Sequence, residues 1–284
     1  MTNSATIALT TIRPLTEADI EAVHGLSVEV GWPHRADDWR LVLELGHGVV
    51  ACDDAGRVMG SAMWWPFGEE LATIGMVIVS PRMQARGTGR RVMREIFSAA
   101  GTRALRLVAT AAGQRLYESE GFRATRMIAQ YQGVADTAAA VADSRVREAQ
   151  ESDWPVIAAL DAEAYGGDRS RMLAALRRVG RTFVLEEGGR IAGFSICRPF
   201  GRGHVVGPLV AADAGQAVAL ASLHVRAHAG SFLRLDTPER NGPLVAFAEA
   251  CGLSNVDRVV QMTRGTPPAT GPARVFALTS QALG

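Results

Sequence analysis

The sequence lacks most features that commit a chain to secretion or to a membrane. Its three cysteines, Cys52, Cys197 and Cys251, are odd in number and far apart, so they form neither a disulfide framework nor a zinc pattern. No apolar run approaches the roughly 20 residues that span a bilayer. The N-terminus has no basic segment followed by a long apolar core, so we expect no signal peptide. Reduced thiols and a cytoplasmic location are therefore expected.

A strong net charge is also missing, because the formal value is +1. Such a balance creates no overall field that would draw the chain to nucleic acid or to an anionic membrane, and neither partner is expected. A nucleic-acid-binding module that uses the arginines of residues 82–94 is one alternative, which the absence of interleaved aromatic residues disfavours. The length of 284 residues suggests two domains, each long enough to bury a core.

The chain repeats itself. TIRPLTEADIEAVHGL (11–26) resembles RVREAQESDWPVIAAL (145–160), which aligns Arg13 with Arg147 and Asp19 with Asp153. Later matches keep the same order and nearly the same offset: GRVMG (56–60) with GRIAG (189–193), and SEGF (119–122) with ACGL (250–253). Matches in register indicate a tandem duplication. The predicted domains are residues 1–133 and 145–284, joined by a linker over residues 134–144.

Each half shows the same alternation of apolar strands and amphipathic helices, which indicates an α/β fold with helices on a sheet. In the first half, ATIGMVIVS reads as a long strand that ends at Pro81, and a helix begins near Thr88. Between them lies QARGTG, residues 84–89. Glycines allow a close approach of the backbone, and a helix N-terminus attracts anions. The spacing matches neither a nucleotide P-loop nor a dinucleotide motif. A turn followed by a solvated basic helix start is the alternative.

VSPRMQARGTGRRVM resembles the pyrophosphate-binding segment of GNAT-type N-acetyltransferases, Gln/Arg-x-x-Gly-x-Gly/Ala after a strand. LYESEGF (116–122) is similar to the second signature of that family. The resemblance implies two tandem GNAT-like domains, each with a mixed, mostly antiparallel sheet flanked by helices. It also implies acetyl-CoA as co-substrate, no metal, and pantetheine pairing with the strand before the loop. The implied cofactor residues are Val77, Ile78, Val79, Gln84, Ala85, Arg86, Gly87, Thr88, Gly89 and Arg90.

The resemblance further implies that Tyr117 is the general acid that protonates the departing thiolate. A helix aromatic packed in the core is the other interpretation of Tyr117. No general base is evident, and His34, water or the substrate itself are equal candidates. Thr110 stands where the family motif often carries Asn. A non-enzymatic acetyl-CoA sensor would keep the loop without needing Tyr117.

Acceptor specificity is expected from GWPHRADDWR, residues 31–40, a run that resembles a bacterial subgroup of tandem GNAT proteins. Trp32, His34 and Trp39 are the candidate acceptor residues, and packing of the two tryptophans on the sheet is the alternative. Asp37 is expected to be the N-cap of the following helix. The acceptor is expected to be a small-molecule amine.

The second half keeps the scaffold but not the chemistry. Its loop equivalent, AADAGQA (211–217), has no arginine and carries Asp213, and Ala248 stands at the position of Tyr117. We therefore expect a non-catalytic domain that helps to enclose the acceptor, with Tyr165, Arg198 and Asp236 as candidates. His224 and His228 are expected on a solvated helix face. Because tandem repeats mimic a dimer, a monomer is expected.

Overall fold

The computed structural model describes residues 11–84 and 87–284. The chain divides into two compact units. The first unit comprises the described part of residues 1–66 together with residues 74–102, and the second comprises residues 67–73 and 103–284. The predicted cofactor residues Ala85 and Arg86 lie outside the described residues.

The first unit is built on a sheet covered by helices. Its elements are β1 (Thr11–Pro14), α1 (Ile20–Glu29), α2 (Ala36–Leu45), β2 (His47–Cys52), β3 (Val58–Phe67), β4 (Leu71–Val79) and α3 (Thr88–Ala100). The strand order is β1-β2-β3-β4, and β2 is antiparallel to both β1 and β3. The end of β3 and the start of β4 group with the second unit. Helix α2 is tied to the sheet by the Trp65 indole, which donates to the Val42 carbonyl at 2.8 Å.

The second unit holds the rest of the first repeat and all of the second. Its elements are β5 (Ala104–Ala109), α4 (Ala111–Ser119), β6 (Arg123–Val134), β7 (Val146–Glu148), α5 (Trp154–Tyr165), α6 (Ser170–Val179), β8 (Arg181–Glu187), β9 (Arg190–Phe200), β10 (Gly203–Ala211), α7 (Ala214–Ala227), β11 (Phe232–Thr237), α8 (Pro243–Ala250), β12 (Ser254–Arg264) and β13 (Arg274–Ala277). The sheet order is β5-β12-β6-β11-β10-β9-β8-β7, and β13 pairs with β10.

The two repeats exchange their final strands. Strand β12 of the second repeat lies between β5 and β6, with Met262 opposite Leu107 and Val259 opposite Ile128. Strand β6 of the first repeat in turn pairs with β11 of the second. The predicted α/β class with mixed, mostly antiparallel strands is confirmed. The domain boundaries at residues 133 and 145 stay a prediction about the repeats, since the compact units divide the chain elsewhere.

The start of each repeat forms the same ion pair, between residues that occupy matching positions in the repeat alignment. Arg13 donates two hydrogen bonds to Asp19 at 2.7 and 2.8 Å, and Arg147 donates two to Asp153 at 2.6 and 3.1 Å. The Arg13 guanidinium lowers the pKa of Asp19 to about 2. Each aspartate also accepts a backbone N–H three residues earlier in the chain. The shared motif therefore orients the first helix of each repeat in the same way.

The prediction that Asp37 caps α2 is wrong. The helix begins at Ala36, so Arg35 is the N-cap residue. The carboxylate that reaches back to the Arg35 amide, at 2.9 Å, belongs to Asp38. Asp37 instead lies exposed beside Arg40, with 2.7 Å between their charged atoms. The helix starts two residues earlier than expected, so the carboxylate that bonds the N-cap amide is that of Asp38 at N3.

Candidate functional site

The connection from β4 to α3 carries the predicted phosphate site. Gly87 is the N-cap of α3 with a φ of +79°, a left-handed conformation that favours glycine. The helix begins at Thr88, whose side chain is buried, while Gly89 is half-buried and Arg90 is exposed. The first N–H groups of a helix have no carbonyl partner within it, and the helix dipole adds partial positive charge. The start of α3 can therefore receive an anion.

The loop is held at both ends. Val92, Met93 and Ile96 form a buried stripe on α3, which packs on β2 as the apolar spacing predicts. At the other end, the Gln84 side-chain amide donates to the Val79 carbonyl at 3.2 Å. The helix start is thus anchored by the core rather than by the loop itself.

Strand β4 is distorted just before the residues predicted to meet pantetheine. Met76 has a φ of +52°, which is a strained conformation for a residue with a side chain. The buried Ser61 hydroxyl donates to the Met76 carbonyl at 2.8 Å and stabilises this geometry. Beyond it, Val77 and Val79 are half-buried and Ile78 is buried. Sequence analysis did not detect the role of Ser61 or Met76, because no residue type there marks a backbone irregularity.

Helix α4 places Tyr117 in the second unit, 7% exposed, with its ring edge-on to Phe122 at a centroid distance of 6.0 Å. Gly113 makes room for the ring, because a Cβ there would lie 3.0 Å from the Tyr117 ring. Burial raises the pKa of Tyr117 to about 12. No hydrogen bond to the hydroxyl is formed by the described residues. The phenol therefore stays protonated at neutral pH and keeps its proton available for donation.

The predicted acceptor segment converges on Ser27. The Trp39 indole donates to the Ser27 hydroxyl at 2.9 Å, and His34 Nδ1 lies 3.2 Å from the same oxygen. Trp32 packs edge-on against the His34 ring, with 5.6 Å between centroids. Trp32 and His34 are half-buried, whereas Trp39 is fully buried. Trp39 therefore has no exposed surface that an acceptor could contact. Its hydrogen bond to Ser27 links α2 to α1.

A cleft of about 590 Å³ also lies in the first unit. It is bordered by α1, by the connection from β2 to β3 and by the segment that leaves β4, including Glu29, Arg57, Ser80 and Arg82. Glu29 accepts a hydrogen bond from the Ser80 hydroxyl at 3.1 Å. Among the described residues, none of the predicted site residues borders this cleft.

The second repeat closes the equivalent positions with its own chain. Strand β13 runs antiparallel to β10, with Ala277 opposite Leu209 and Arg274 opposite Ala211. Leu209–Ala211 end β10 as Val77–Val79 end β4, the strand at the same place in the order of the first repeat. The strand edge that would pair with pantetheine is therefore already paired.

Helix α7 of the second repeat is capped by an acidic side chain. The Asp213 carboxylate accepts the Gln216 N–H at 2.9 Å, and the Gln216 side-chain oxygen accepts the Ala212 N–H at 3.1 Å. Ala248, at the position of Tyr117, is buried in α8. A capped helix start with a negative charge is unsuited to a pyrophosphate.

The expectation that His224 lies on a solvated face is wrong. His224 is fully buried, with Nε2 2.9 Å from the Ser195 hydroxyl and its ring 4.8 Å from that of Phe183. Burial, reinforced by the nearby His228, lowers the pKa of His224 to about 3. Helical spacing alone did not reveal this, because α7 is covered on more than one face. Among the described residues, no group of three His, Cys, Asp or Glu could hold a metal ion.

Tyr165, Arg198 and Asp236, the candidate acceptor residues of the second half, have different surroundings. Tyr165 lines a cavity of about 340 Å³ within the second unit. Asp236 is fully buried and paired with Arg234 at 2.8 Å. Arg198 is buried and donates to the Thr279 carbonyl at 3.3 Å. Cys251 is fully buried, as expected for a small apolar residue.

In the described part of the chain, no helix is both long and apolar enough to cross a membrane. Two family models match the sequence. Each describes an acetyltransferase (GNAT) domain, and they match residues 44–124 and residues 157–277. The uncharacterized N-acetyltransferase YitH of Bacillus subtilis (strain 168) is 25% identical over 277 residues, which cover 95% of this chain and 97% of that protein.

Solved structures show the same tandem fold. A Pyrococcus horikoshii protein described as an acetyltransferase has a TM-score of 0.82 at 22% identity, covering 97% of this chain and 96% of that chain. A tandem GNAT protein from the clavulanic acid biosynthesis pathway has a TM-score of 0.65 at 19% identity, with coverages of 92% and 100%. With both halves matched by domain models, the predicted resemblance is confirmed: the chain belongs to the GNAT family of N-acetyltransferases and carries two of its domains in tandem.

Proposed function

We propose that the first repeat transfers an acetyl group from acetyl-CoA to a primary amine of a small molecule, with Tyr117 as general acid. Membership of the GNAT family implies acyl-CoA-dependent acetyl transfer. The observation that carries the assignment to the first repeat is the start of α3, where Gly87 opens an uncapped helix beside arginines. The second repeat presents Asp213 at the same place.

Two segments of the first unit support cofactor binding. The backbone amides of residues 85–90 would hold the pyrophosphate, with Arg90 adding positive charge. Val77 and Val79 would pair with the pantetheine arm as an added strand does, while the buried Ile78 holds the strand in the core. Acetyl-CoA supplies an acetyl group that is activated as a thioester.

The reaction forms a C–N bond and breaks the C–S bond of the thioester. Tyr117 donates its hydroxyl proton to the departing sulfur. Its burial supports this role in one respect, because a pKa of about 12 keeps the phenol protonated throughout the working pH range. The same burial makes the phenol a weak acid, so its contribution begins as a hydrogen bond to the sulfur as negative charge develops there.

The amine must lose a proton to attack. His34 is a candidate base, since Nε2 retains a lone pair in the tautomer whose Nδ1–H faces Ser27. Water and the substrate itself are the other candidates. Trp32 offers a half-buried aromatic face beside His34, which suits a small organic acceptor. A monomeric state and a cytoplasmic location stay predictions from the sequence.

A charge placed at the start of α3 tests the proposal. Gly87→Glu introduces a carboxylate at the anion site and a side chain at a left-handed backbone position. We expect acetyl-CoA affinity and acetyl transfer to an amine panel to fall on the order of 10²-fold, as for like-charge repulsion at a desolvated site. Gly101→Glu is the matched control, because Gly101 ends the same helix with a φ of +66° and open space around it. Equal activity in both variants would refute the assignment.

A non-enzymatic acetyl-CoA sensor would behave differently. Its cofactor binding would also fall in Gly87→Glu, but no amine in the panel would be acetylated by the wild-type chain. Acetylated product from the wild type, absent in Gly87→Glu, therefore separates the enzyme from the sensor.

A further inference from the structure

The cavity of about 340 Å³ in the second unit lies at the seam where the repeats exchange their final strands. Its lining includes side chains from β5, β6, α5, β12 and β13 and from the segment after β11. Its charged and aromatic lining includes Arg106, Arg126, Tyr165, Glu239 and Arg274. A volume of this size falls within the range of small-molecule sites.

The strand register brings two of these arginines to one face. Arg106 on β5 lies opposite Thr263 of β12, and Arg126 on β6 lies opposite Gln261 of β12. Directly opposed residues share a face of the sheet, and residues two apart on one strand do also. The two guanidinium groups therefore approach the cavity from either side of β12.

Arg106 is 8% exposed. Its guanidinium carbon lies 4.6 Å from the ring centroid of Tyr165, and its Nη1 donates to the Tyr165 carbonyl at 3.3 Å. Its Nε is buried without a hydrogen-bond partner in the described ranges. No Asp or Glu of the described residues forms an ion pair with it, and residues 1–10 and 85–86 contain neither type. A nearly buried cation without a counter-ion is costly, which indicates that an anion from outside completes the site.

Two further arginines near Arg106 add positive charge that a bound anion would neutralise. Arg126 is exposed at the edge of the cavity, and partial burial together with the positive charge of Arg106 lowers its pKa. Arg274 is also exposed, with its guanidinium carbon 4.8 Å from the Phe276 ring centroid. Arg106 and Arg126 therefore repel one another, and a bound carboxylate would relieve that repulsion.

Glu239 adds a negatively charged group to the lining of the cavity. Its Oε2 is buried without a hydrogen-bond partner among the residues described, and it forms no ion pair with the three cavity arginines there. A buried carboxylate oxygen needs a donor. Inorganic phosphate could satisfy the arginines but not Glu239.

We propose that this cavity binds a small zwitterion of the amino-acid class, with its carboxylate on Arg106 and Arg126 and its ammonium on Glu239. The site draws its residues from both repeats and exists only because the strands are exchanged. Among the described residues, its lining includes none of those proposed to hold acetyl-CoA.

Direct binding to the full chain tests the ligand class. The standard amino acids are titrated one by one, with calorimetry and thermal unfolding as readouts. We expect at least one to bind once per chain and to raise the unfolding temperature. Its methyl ester and its deaminated acid should each bind on the order of tenfold more weakly, since each loses one charge-assisted contact. Failure of every amino acid, or equal binding by the deaminated acid or by inorganic phosphate, would overturn the proposal.

Variants test the residues. Arg126→Gln and Glu239→Gln should each weaken binding on the order of tenfold. Arg190→Gln is the control for Arg126→Gln, because it removes the same charge at an exposed position outside the cavity. This control should bind like the wild type. Arg106→Met should abolish binding while the ligand-free protein unfolds at an equal or higher temperature, because an uncompensated buried charge is removed. A lower unfolding temperature with binding intact would mean that Arg106 is structural. If Arg106→Met does not fold, unchanged binding in Arg126→Gln overturns the proposal.

Discussion

The two repeats differ most where a central strand meets the next helix. In the first, β4 reaches α3 through residues 80–87, which end in a left-handed Gly87 and include no acidic residue. In the second, β10 reaches α7 through residues 212–213 alone, and Asp213 caps the helix. The helices and strands around these connections follow one another in the same order in both repeats. A duplicated fold can thus keep its architecture while a few backbone N–H groups change from ligand sites to internal hydrogen bonds.

The strands before these connections differ in the same sense. Leu209–Ala211 of β10 are paired with β13, whereas their counterparts Val77–Val79 follow the strained Met76 in β4. Apolar burial, which fixes the fold, depends on many side chains and survives divergence. An anion site depends on a few groups and is lost when an internal partner satisfies them.

The largest expected effect concerns Tyr117, which the second repeat replaces with Ala248. Tyr117→Phe should lower kcat on the order of 10²-fold, because the proton donor is lost. Its unfolding temperature should change little, since no described residue bonds to the hydroxyl. Tyr131→Phe, at a buried position on β6, is the control and should keep wild-type kcat. Equal kcat in wild type and Tyr117→Phe would remove Tyr117 from the chemistry.

The next largest expected effect is a loss of folding stability at low pH, which we attribute to His224, the buried histidine of α7. Its folded-state pKa of about 3 lies below the ordinary value of 6.5, so the unfolded chain binds a proton first as the pH falls. This histidine's contribution to stability is complete above about pH 6.5. It is lost toward pH 3 at up to roughly 1.4 kcal/mol per pH unit.

His224→Gln should therefore show a flatter fall in unfolding free energy between pH 6.5 and pH 4, measured by urea titration. His47→Gln, at an exposed histidine of the first repeat, should retain the wild-type slope. Identical slopes in wild type and His224→Gln would show that His224 is not buried neutral.

A smaller effect separates the two helix starts. Asp213→Ala should lower the unfolding free energy by about 1 kcal/mol, because α7 loses its side-chain cap. Asp213→Asn should restore most of that stability, since Asn caps comparably well. Acetyl-CoA affinity should stay unchanged in both variants. Tighter or additional acetyl-CoA binding in Asp213→Ala would contradict the view that β13 also closes the second repeat.

Local sequence patterns predicted much of this structure. The repeat and the order of its elements follow from periodicity and alignment. The alignment also matched Arg13 with Arg147 and Asp19 with Asp153, but it did not predict that each pair forms an ion pair. The exchange of β6 and β12 could not be predicted, because the register of distant strands depends on side-chain packing across the whole sheet. The same limit applies to β13, which the sequence gives no reason to place on β10.

The candidate sites likewise differ in whether a local sequence pattern reveals them. The Gly87 loop has a local signature, because glycine and helix position create it together. The burial of Trp39 and His224 depends on what covers each helix, which helical spacing does not report. The cavity at Arg106 was missed because an arginine on a strand ordinarily indicates a solvent face. The flanking Leu105 and Leu107 point to the opposite face of β5 and so carry no information about the surroundings of Arg106.

The most direct test of the difference between the repeats is the stoichiometry of acetyl-CoA binding to the intact chain, measured by calorimetric titration. One site per chain is the predicted result, with the first repeat as its location. Two sites would contradict the assignment, because they would require the capped helix and paired strand of the second repeat to open. The absence of any binding would contradict the proposed function itself.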